Sequence, residues 1–293
     1  MRKSNKVKEL FTGKKVAIPV TIGFCVAIYL LYSQTSWEEF KKVEWGFDTF
    51  FWLLIALLMM VIRDLAYMYR IRVLTDNQIT WRNSFDVIML WEFASAITPS
   101  VVGGSGVALY ILKKEGLSAG KSTTIVMITA LLDELFYVIT VPIIILFVGT
   151  DYLFPIELKK EILGITFSVK GLFALGYGFI LLLSLVIVYG VFFNPKGFKQ
   201  LLLYIFKWKL LSRWFDKMEH VGEDIVRTSQ ELKDKSLLFW MKSFGVTLFS
   251  WTARFWVVNF ILLAFTPVGD HLLVYGRQLV MWVIMLVSPS PGG

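Results

Sequence analysis

Long apolar blocks constrain the fold of this chain more than any other feature of its sequence. They cover residues 16–32, 45–65, 122–148, 171–193 and 237–265. A helix needs roughly 20 apolar residues to cross a bilayer. Charged residues make up 18% of the chain, below the roughly 25% that is usual in soluble domains. We therefore predict an all-α polytopic membrane protein with about five full spans, built as a single integral membrane domain over residues 1–293.

Two motifs rich in proline and glycine interrupt this apolar sequence. Residues 98–106 read TPSVVGGSG, and residues 288–293 read SPSPGG. Proline lacks an amide hydrogen and glycine disfavours helix. Irregular backbone persists at membrane depth only where protein buries it or where it lines a watery cavity. We therefore predict two re-entrant broken-helix segments, residues 84–112 and residues 272–293, whose motifs mark a site.

The distribution of lysine and arginine predicts the orientation. The positive-inside rule places the basic tail 1–15, residues 63–83 and residues 194–236 in the cytoplasm. Two spans, 122–148 and 171–193, separate Leu112 from residues 194–236, so residues 113–121 are cytoplasmic as well. The 84–112 segment therefore enters and leaves on the cytoplasmic side, whereas 272–293 starts outside. Inverted repeats would produce two re-entrant segments that enter the membrane from opposite sides. The prediction is a multi-pass protein of the bacterial inner membrane with a cytoplasmic N-terminus.

The two ends of the chain carry further expectations. A basic start followed by the apolar run 16–32 is also found in signal peptides. The run is long, however, and no A-x-A-like site follows it, which favours an uncleaved first span. The chain stops at Gly293, within predicted membrane, so we expect a truncated C-terminus and an incomplete second re-entrant segment.

Residues 194–236 form the one sizeable polar segment. FKQLLLYIFKWKLLSRWFDKM places apolar residues among basic ones at helical spacing, which is typical of an amphipathic helix on the inner leaflet. It would be a surface anchor or a site that recruits anionic lipid, and past Met218 we expect a solvated helix. The net charge of +8 lies mostly in short segments between apolar blocks. We therefore predict membrane lipids as partners, and no nucleic acid.

A charged residue inside a membrane segment costs on the order of 3 kcal/mol. Arg63 and Asp64 lie at the inner end of the second span and could simply reach the interface. Five other charged residues are well placed for a site: Glu92, Asp133, Glu134, Arg254 and Arg277. Asp133 and Glu134 point about 100° apart on a helix. One could pair with Arg254 while the other faces a cavity, or both could be structural. The two arginines match phosphate oxygens, although Arg277 could instead reach the outer interface. Glu92 is either a proton or cation site or a packing partner.

The first motif offers backbone and hydroxyl groups as well. Gly103 and Gly104 allow close backbone approach, and a helix resuming after Gly104 would direct free amides and its positive dipole end at an anionic headgroup. Ser100 and Ser105 can donate hydrogen bonds to the same ligand. Alternatively, they cap their own helices.

Sequence motifs for catalysis are missing. EGLSAGKS at 115–122 has Glu115 where a P-loop needs its first glycine, and GGSGV is not a nucleophile elbow. His220 and His271 lack a second metal ligand at a suitable spacing, and Cys25 is the one cysteine. We therefore predict no catalytic residue, no metal and no cofactor, and a protein that is not an enzyme.

The sequence resembles a known protein family. ITPSVVGGSGVALYILKKEGLSAGKSTTIVMITALLDELFYVI, with the later SPSPGG, is similar to the membrane domain of lysylphosphatidylglycerol synthases and related flippase-like proteins. The resemblance implies a role in moving phospholipids or aminoacylated lipids between leaflets. Members that synthesise the lipid carry a large cytosolic transferase domain that this chain lacks, so aminoacyl transfer is not carried over.

The resemblance also implies site residues. Asp133 matches an acidic position of the family, but Thr129 and Ala130 stand where the family often has an arginine. The paired motifs match at Pro99, Gly103, Gly104, Pro289, Gly292 and Gly293.

The resulting prediction is a flippase-like transporter that binds a phospholipid or modified lipid with an anionic or zwitterionic headgroup. One alternative is a non-catalytic membrane subunit, with residues 194–236 as the surface that docks a partner enzyme. A homo-oligomer is a further possible assembly. Another is a membrane-embedded lipid-modifying enzyme with Glu92 or Asp133 as base. The predicted substrate-binding residues are Glu92, Pro99, Ser100, Gly103, Gly104, Ser105, Asp133, Glu134, Arg254, Arg277, Pro289 and Gly292.

Overall fold

The computed structural model describes residues 44–97, 101–154, 159–162, 165–208 and 215–286, together with helical positions between Thr21 and Ser33. Two short strands, β1 (Lys159–Ile162) and β2 (Ile165–Ser168), pair as an antiparallel hairpin. A π-helical turn, Tyr189–Phe193, continues the sixth of the helices. The helices are α1 (Phe47–Leu74), α2 (Trp81–Ile97), α3 (Val101–Lys114), α4 (Ala119–Val148), α5 (Thr150–Leu153), α6 (Val169–Val188), α7 (Pro195–Phe206), α8 (Phe215–Lys233), α9 (Leu237–Phe265) and α10 (His271–Leu286).

Four helices of the described chain are long and apolar enough to cross a membrane. They are α1, α4, α6 with its π-helical turn, and α9, with lengths of 28, 30, 25 and 29 residues. The prediction of an all-α polytopic membrane protein is confirmed, with the β1–β2 hairpin as a short addition between α5 and α6. The basic tail 1–15 lies outside the described residues.

Helices α1 and α9 form an antiparallel pair that spans the protein. At one end Trp45 packs edge-on against Phe265, with ring centroids 5.9 Å apart. At the other end the Lys235 ammonium lies 2.5 Å from the carboxylate of Asp76. We call the end with Asp76 and Lys235 the basic end, and the end with Phe265 and the β-hairpin the hairpin end.

Helix α1 is longer than its apolar block predicted. The block ended at residue 65, but the helix continues to Leu74. The first part of the basic segment 63–83 is therefore helical, and its cytoplasmic location stays a prediction. Tyr67, Ile71 and Leu74 recur at helical spacing and are buried, which stabilises the extra turns. The helix ends where Asp76 adopts a left-handed backbone conformation with φ 52°.

Helices α2 and α3 pack against each other as the predicted broken segment. The three intervening residues, 98–100, lie outside the described residues. Helix α3 begins at Val101 and contains Gly103, Gly104 and Gly106, so the expectation that helix resumes only after Gly104 was wrong. Gly104 has a packing role there, because a Cβ at this position would overlap the side chain of Ser95 in α2. The small residue lets the two helices approach closely.

The α2–α3 hairpin is held most firmly at its base. Val87 of α2 and Ala108, Ile111 and Leu112 of α3 are almost completely buried in one hydrophobic cluster with α1 and α4. Near the tip, Ser95 and Ala96 are exposed. A second cluster, around Phe136, fills the hairpin-end half of the bundle.

Helices α2 and α10 run toward the middle of the bundle from opposite ends. Trp81 at the start of α2 stacks on Tyr69 near the basic end. His271 at the start of α10 stacks on Trp256 near the hairpin end, and Trp282 reaches Trp251 deeper in the bundle. This geometry agrees with the expected approach from opposite sides. The inverted-repeat relation stays a prediction, and the second motif lies outside the described residues.

The segment 194–236 forms two helices, α7 and α8, which pack against each other at the basic end. Helix α7 has the amphipathic pattern: its exposed Leu201, Tyr204 and Ile205 share one helical face, and the exposed Trp208 follows just after the helix end. The expectation of a solvated helix past Met218 was wrong in part. Ile225 and Leu232 of α8 are buried, because α8 packs against the start of α4 as well as against α7.

Candidate functional site

A cavity of about 290 Å³ lies between the two hydrophobic clusters, in the middle of the bundle. Helices α1, α2, α3, α4, α9 and α10 contribute its walls. Ser95 and Ala96 line it from the last turn of α2, and Leu286, the last residue of α10, lines it as well. Both proline-glycine motifs therefore follow directly on helix ends that reach this cavity.

A buried ion pair closes one side of the cavity. Arg70 of α1 donates to Asp133 of α4 from Nη1 at 2.5 Å and from Nη2 at 3.2 Å. Thr247 Oγ1 accepts from the same arginine at 3.1 Å, and the Trp251 indole donates to Asp133 Oδ1 at 2.7 Å. Asp133 is thus a structural ion-pair partner, and its partner is Arg70 rather than the suggested Arg254.

A second, more exposed ion cluster joins α1 to α2. Arg63 Nη2 lies 2.7 Å from Asp64 Oδ1 and 3.3 Å from Glu92 Oε2. The Glu92 side chain is 36% exposed and lines the cavity. Glu92 therefore has the predicted packing partner and also faces the cavity, while Arg63 and Asp64 lie in the bundle beside α2 rather than simply at its surface.

Glu134 has the opposite environment from Asp133. It is 8% exposed, and its Oε2 has no hydrogen-bond partner among the described residues. Thr129 and Tyr137, on the same helix, also line the cavity, and their hydroxyl groups equally lack a partner in that part of the chain. The sequence prediction that the two adjacent carboxylates serve different partners agrees with this geometry.

Arg254 lines the cavity without an acidic partner. Its guanidinium carbon lies 4.5 Å from the ring centroid of Trp282 and 5.2 Å from that of Trp251. Over the described chain it forms no ion pair and no hydrogen bond, although aromatic faces attract and hold its cation. Its five N–H donors are therefore available to a ligand in the cavity.

The other predicted site residues do not all lie at the cavity. Ser105 lines the cavity, and Gly104 lies against Ser95 beside it. Arg277 lies elsewhere, exposed, where its Nη2 donates to the carbonyl oxygen of Tyr152 at 3.1 Å. This corresponds to the alternative of an interfacial Arg277. Gly103 belongs to the first turn of α3, and the residues that lie outside the described part are Pro99, Ser100, Pro289 and Gly292.

The sequence prediction missed Arg70 and the aromatic walls of the cavity. Arg70 was counted among the basic residues of the cytoplasmic segment 63–83, although the helical spacing of Tyr67 and Ile71 would have extended the helix past it. The aromatic residues that line the cavity are Tyr67, Trp91, Tyr137, Trp251 and Trp282. The spacing of Trp251 and Arg254, three residues apart on one helix, was a signal that the prediction did not use.

Comparison with known proteins identifies the family. The family described as "Lysylphosphatidylglycerol synthase TM region" matches residues 16–293. A UPF0104 membrane protein of Archaeoglobus fulgidus is 26% identical over 296 residues, which cover 96% of this chain and 81% of that protein. No solved structure gives a significant match. The predicted resemblance is confirmed: the chain belongs to the lysylphosphatidylglycerol synthase transmembrane-region family, membrane proteins linked to lipid handling.

Proposed function

We propose that the protein binds the headgroup of a phospholipid or modified lipid in the central cavity and moves the lipid between leaflets, as a flippase-like transporter without a covalent step. The observation that carries this proposal is Arg254. It lines a cavity at the meeting point of α2 and α10, and no acidic residue of the described chain pairs with it. An anionic headgroup supplies the missing counter-charge.

The charges around the cavity favour a phosphate on Arg254. Arg70 is already neutralised by Asp133, and Arg63 by Asp64 and Glu92. A guanidinium matches phosphate oxygens with two parallel hydrogen bonds. Helix α3 adds to the attraction, because it begins at Val101 and its Ser105, about one turn later, lines the cavity. The positive end of its dipole is therefore close to the headgroup.

The arrangement of the half-helices supports movement across the bilayer rather than binding alone. Helix α2 reaches the cavity from the basic end, and α10 reaches it from the hairpin end. Broken helices that meet at mid-depth are a feature of many transporters with alternating access. In this proposal the basic end faces the cytoplasm of a bacterial inner membrane, and the headgroup is anionic or zwitterionic.

A transport assay in liposomes tests the proposal. Purified protein is reconstituted with phospholipids that carry a fluorescent label on an acyl chain, and the rate at which label becomes accessible to an external quencher is measured. Arg254→Gln is compared with Arg277→Gln, a matched control outside the cavity. A hydrogen bond to a charged group contributes about 1.5–3 kcal/mol, so we expect the rate to fall about tenfold or more in Arg254→Gln alone.

Two results would contradict the proposal. One is no transport of any lipid by wild-type protein that elutes and melts as a folded species. The other is equal transport by Arg254→Gln and Arg277→Gln. Arg254→Lys refines the test, since a lysine keeps the charge but loses the bidentate geometry and should transport at an intermediate rate.

A further inference from the structure

Three buried oxygen atoms on α4 lack hydrogen-bond partners within the described residues: Thr129 Oγ1, Glu134 Oε2 and Tyr137 OH. Their residues are only 4%, 8% and 4% exposed, respectively. Most buried polar side-chain atoms in folded proteins have a partner. Three exceptions on one helix, all in residues that line one cavity, therefore require an explanation.

These three residues are distinct from the ion pair beside them. Asp133 accepts three hydrogen bonds from Arg70 and the Trp251 indole, which satisfy most of its capacity as an acceptor. Glu134 follows it by one residue and points in a different direction. Thr129 and Tyr137 lie about 12 Å apart along the helix axis, at 1.5 Å per residue. We call Thr129, Glu134 and Tyr137 the α4 polar strip.

Trp251 connects the α4 polar strip with Arg254. Its ring centroid lies 5.2 Å from that of Tyr137, and the Arg254 guanidinium carbon lies 5.2 Å from the Trp251 ring. A headgroup whose phosphate is held by Arg254 can therefore extend along the strip. The part of the headgroup beyond the phosphate is the part that differs between phospholipids.

The chemistry of the strip selects for hydrogen-bond donors. A glutamate carboxylate accepts only, and the threonine and tyrosine hydroxyls each accept as well as donate. Ammonium N–H and glycerol O–H groups satisfy such acceptors. A trimethylated ammonium carries the same charge as a primary ammonium but has no N–H. A site built to hydrogen-bond a substrate group rejects an analogue that lacks it far better than an apolar site can.

We propose that the α4 polar strip is a headgroup-selecting subsite, which binds the N–H or O–H groups of the headgroup while Arg254 holds its phosphate. This inference rests on the proposed function, because it assumes that a lipid headgroup occupies the cavity. It assigns specificity to Thr129, Glu134 and Tyr137, whereas Arg254 provides affinity for every phospholipid.

Soluble headgroups test the subsite without transport. Dissociation constants are measured on the purified protein by calorimetry for glycerophosphoethanolamine, glycerophosphoglycerol and glycerophosphocholine. We expect wild-type protein to bind the first two about tenfold or more tightly than glycerophosphocholine. Glu134→Gln, Thr129→Val and Tyr137→Phe should each bring that ratio closer to one. The two donor-bearing ligands differ in the source of their donors, so their ranking tells ammonium from hydroxyl recognition.

A matched control is available in α6. Ser184 is buried, and its hydroxyl also lacks a described partner, but it does not line the cavity. Ser184→Ala should therefore leave the ratio unchanged. Melting temperatures of all variants, measured without ligand, identify any that fail to fold, and the three single variants give independent tests.

The outcomes separate this inference from the proposed function. Equal affinity for all three headgroups, or a wild-type ratio that survives in all three strip variants, overturns the subsite and leaves the proposed function standing. Absence of binding by every headgroup overturns the subsite, and it overturns the proposed function only when the transport assay fails as well. Arg254→Gln should weaken all three ligands by the same factor, and a selective effect would assign specificity to Arg254 instead of the strip.

Discussion

Arg70 and Asp133 meet through two parallel hydrogen bonds although they are 63 residues apart in sequence. The pair joins the antiparallel α1/α9 pair to α4, and Thr247 of α9 accepts a third hydrogen bond from the arginine. The side chain of Arg70 is only 6% exposed. The pair therefore holds three helices together beside the cavity. The Arg70 guanidinium makes these bonds while it is buried among apolar residues.

Removing Arg70 should destabilise the protein strongly. Arg70→Gln leaves Asp133 without its counter-charge, and breaking a buried pair in this way costs about 3–5 kcal/mol. We expect a loss near the lower limit, about 3 kcal/mol, because Asp133 remains 26% exposed at its side chain. Thermal unfolding in detergent measures the change. Arg70→Met combined with Asp133→Leu should recover much of the loss, and a single variant that melts as wild type would refute the structural role.

The Arg63–Glu92 contact should contribute far less to stability. The distance is 3.3 Å and the Glu92 carboxylate is 36% exposed. Exposed ion pairs are worth about 0–1 kcal/mol, so Glu92→Gln should change the free energy of unfolding by no more than that. The same melting experiment, with Arg70→Gln run beside it, ranks the two contacts. A larger loss from Glu92→Gln than from Arg70→Gln would reverse their expected order.

Gly104 and Gly106 of α3, which are two residues apart, should respond in opposite ways to alanine. A Cβ at Gly104 would overlap Ser95, and overpacking of this kind costs about 1–3 kcal/mol. A Cβ at Gly106 would have no atom within 4 Å, and replacing a helical glycine by alanine gains about 1 kcal/mol. Gly104→Ala should therefore lower the melting temperature while Gly106→Ala raises or preserves it. Ser95→Gly should rescue Gly104→Ala, and failure to rescue would mean that the close approach is not at Ser95.

Glu115 predicts a pH dependence of stability at the basic end, outside the spanning helices. Burial raises the pKa of its carboxyl, the hydrogen bond from Asn83 at 2.5 Å opposes the rise, and the charge of Asp86 adds to it. A raised pKa in the folded state means that the contribution of Glu115 to stability is complete below the unfolded pKa. It is lost as pH rises through the folded value.

Glu115→Gln should remove this part of the pH dependence. The variant keeps an oxygen that can accept from Asn83, but it has no charge to be desolvated. Melting temperatures of both proteins, measured from pH 4 upward, should therefore converge at the acid end and diverge above it, with the variant more stable. A constant difference across that range would show that the carboxyl does not titrate with folding.

The features that the sequence predicted are those with a strong local signal. Apolar blocks located the spanning helices, and the count of basic residues predicted that α2 and α10 come from opposite ends. Five charged residues were expected at one site, and four of them line the cavity: Glu92, Asp133, Glu134 and Arg254. Each of these inferences rests on the cost of placing polar groups in hydrocarbon, which depends little on the rest of the fold.

The features that the sequence did not predict depend on tertiary contacts. Arg70 follows directly on Tyr69, and a charge at that position also fits the end of a helix, so only its distant partner Asp133 shows that it is buried. The glycines of α3 are poor helix formers by propensity, yet Gly104 is helical because its closeness to Ser95 requires a small residue. The sequence left two positions open for Arg277, in the site or at the outer interface, and only the fold places it outside the cavity that Arg254 lines.

The α2–α3 hairpin is packed more tightly at its base than near its tip. Its base is packed into the bundle through Val87, Ala108 and Leu112, which are completely buried, while its tip has small exposed residues and the loosely held Glu92. A rod that is fixed at one end moves most at the other, so a small tilt at the base becomes a larger displacement at Ser95 and Ala96. A tilt of the hairpin about this packed base would shift the cavity lining at Ser95 and Ala96 while the hydrophobic core keeps its packing.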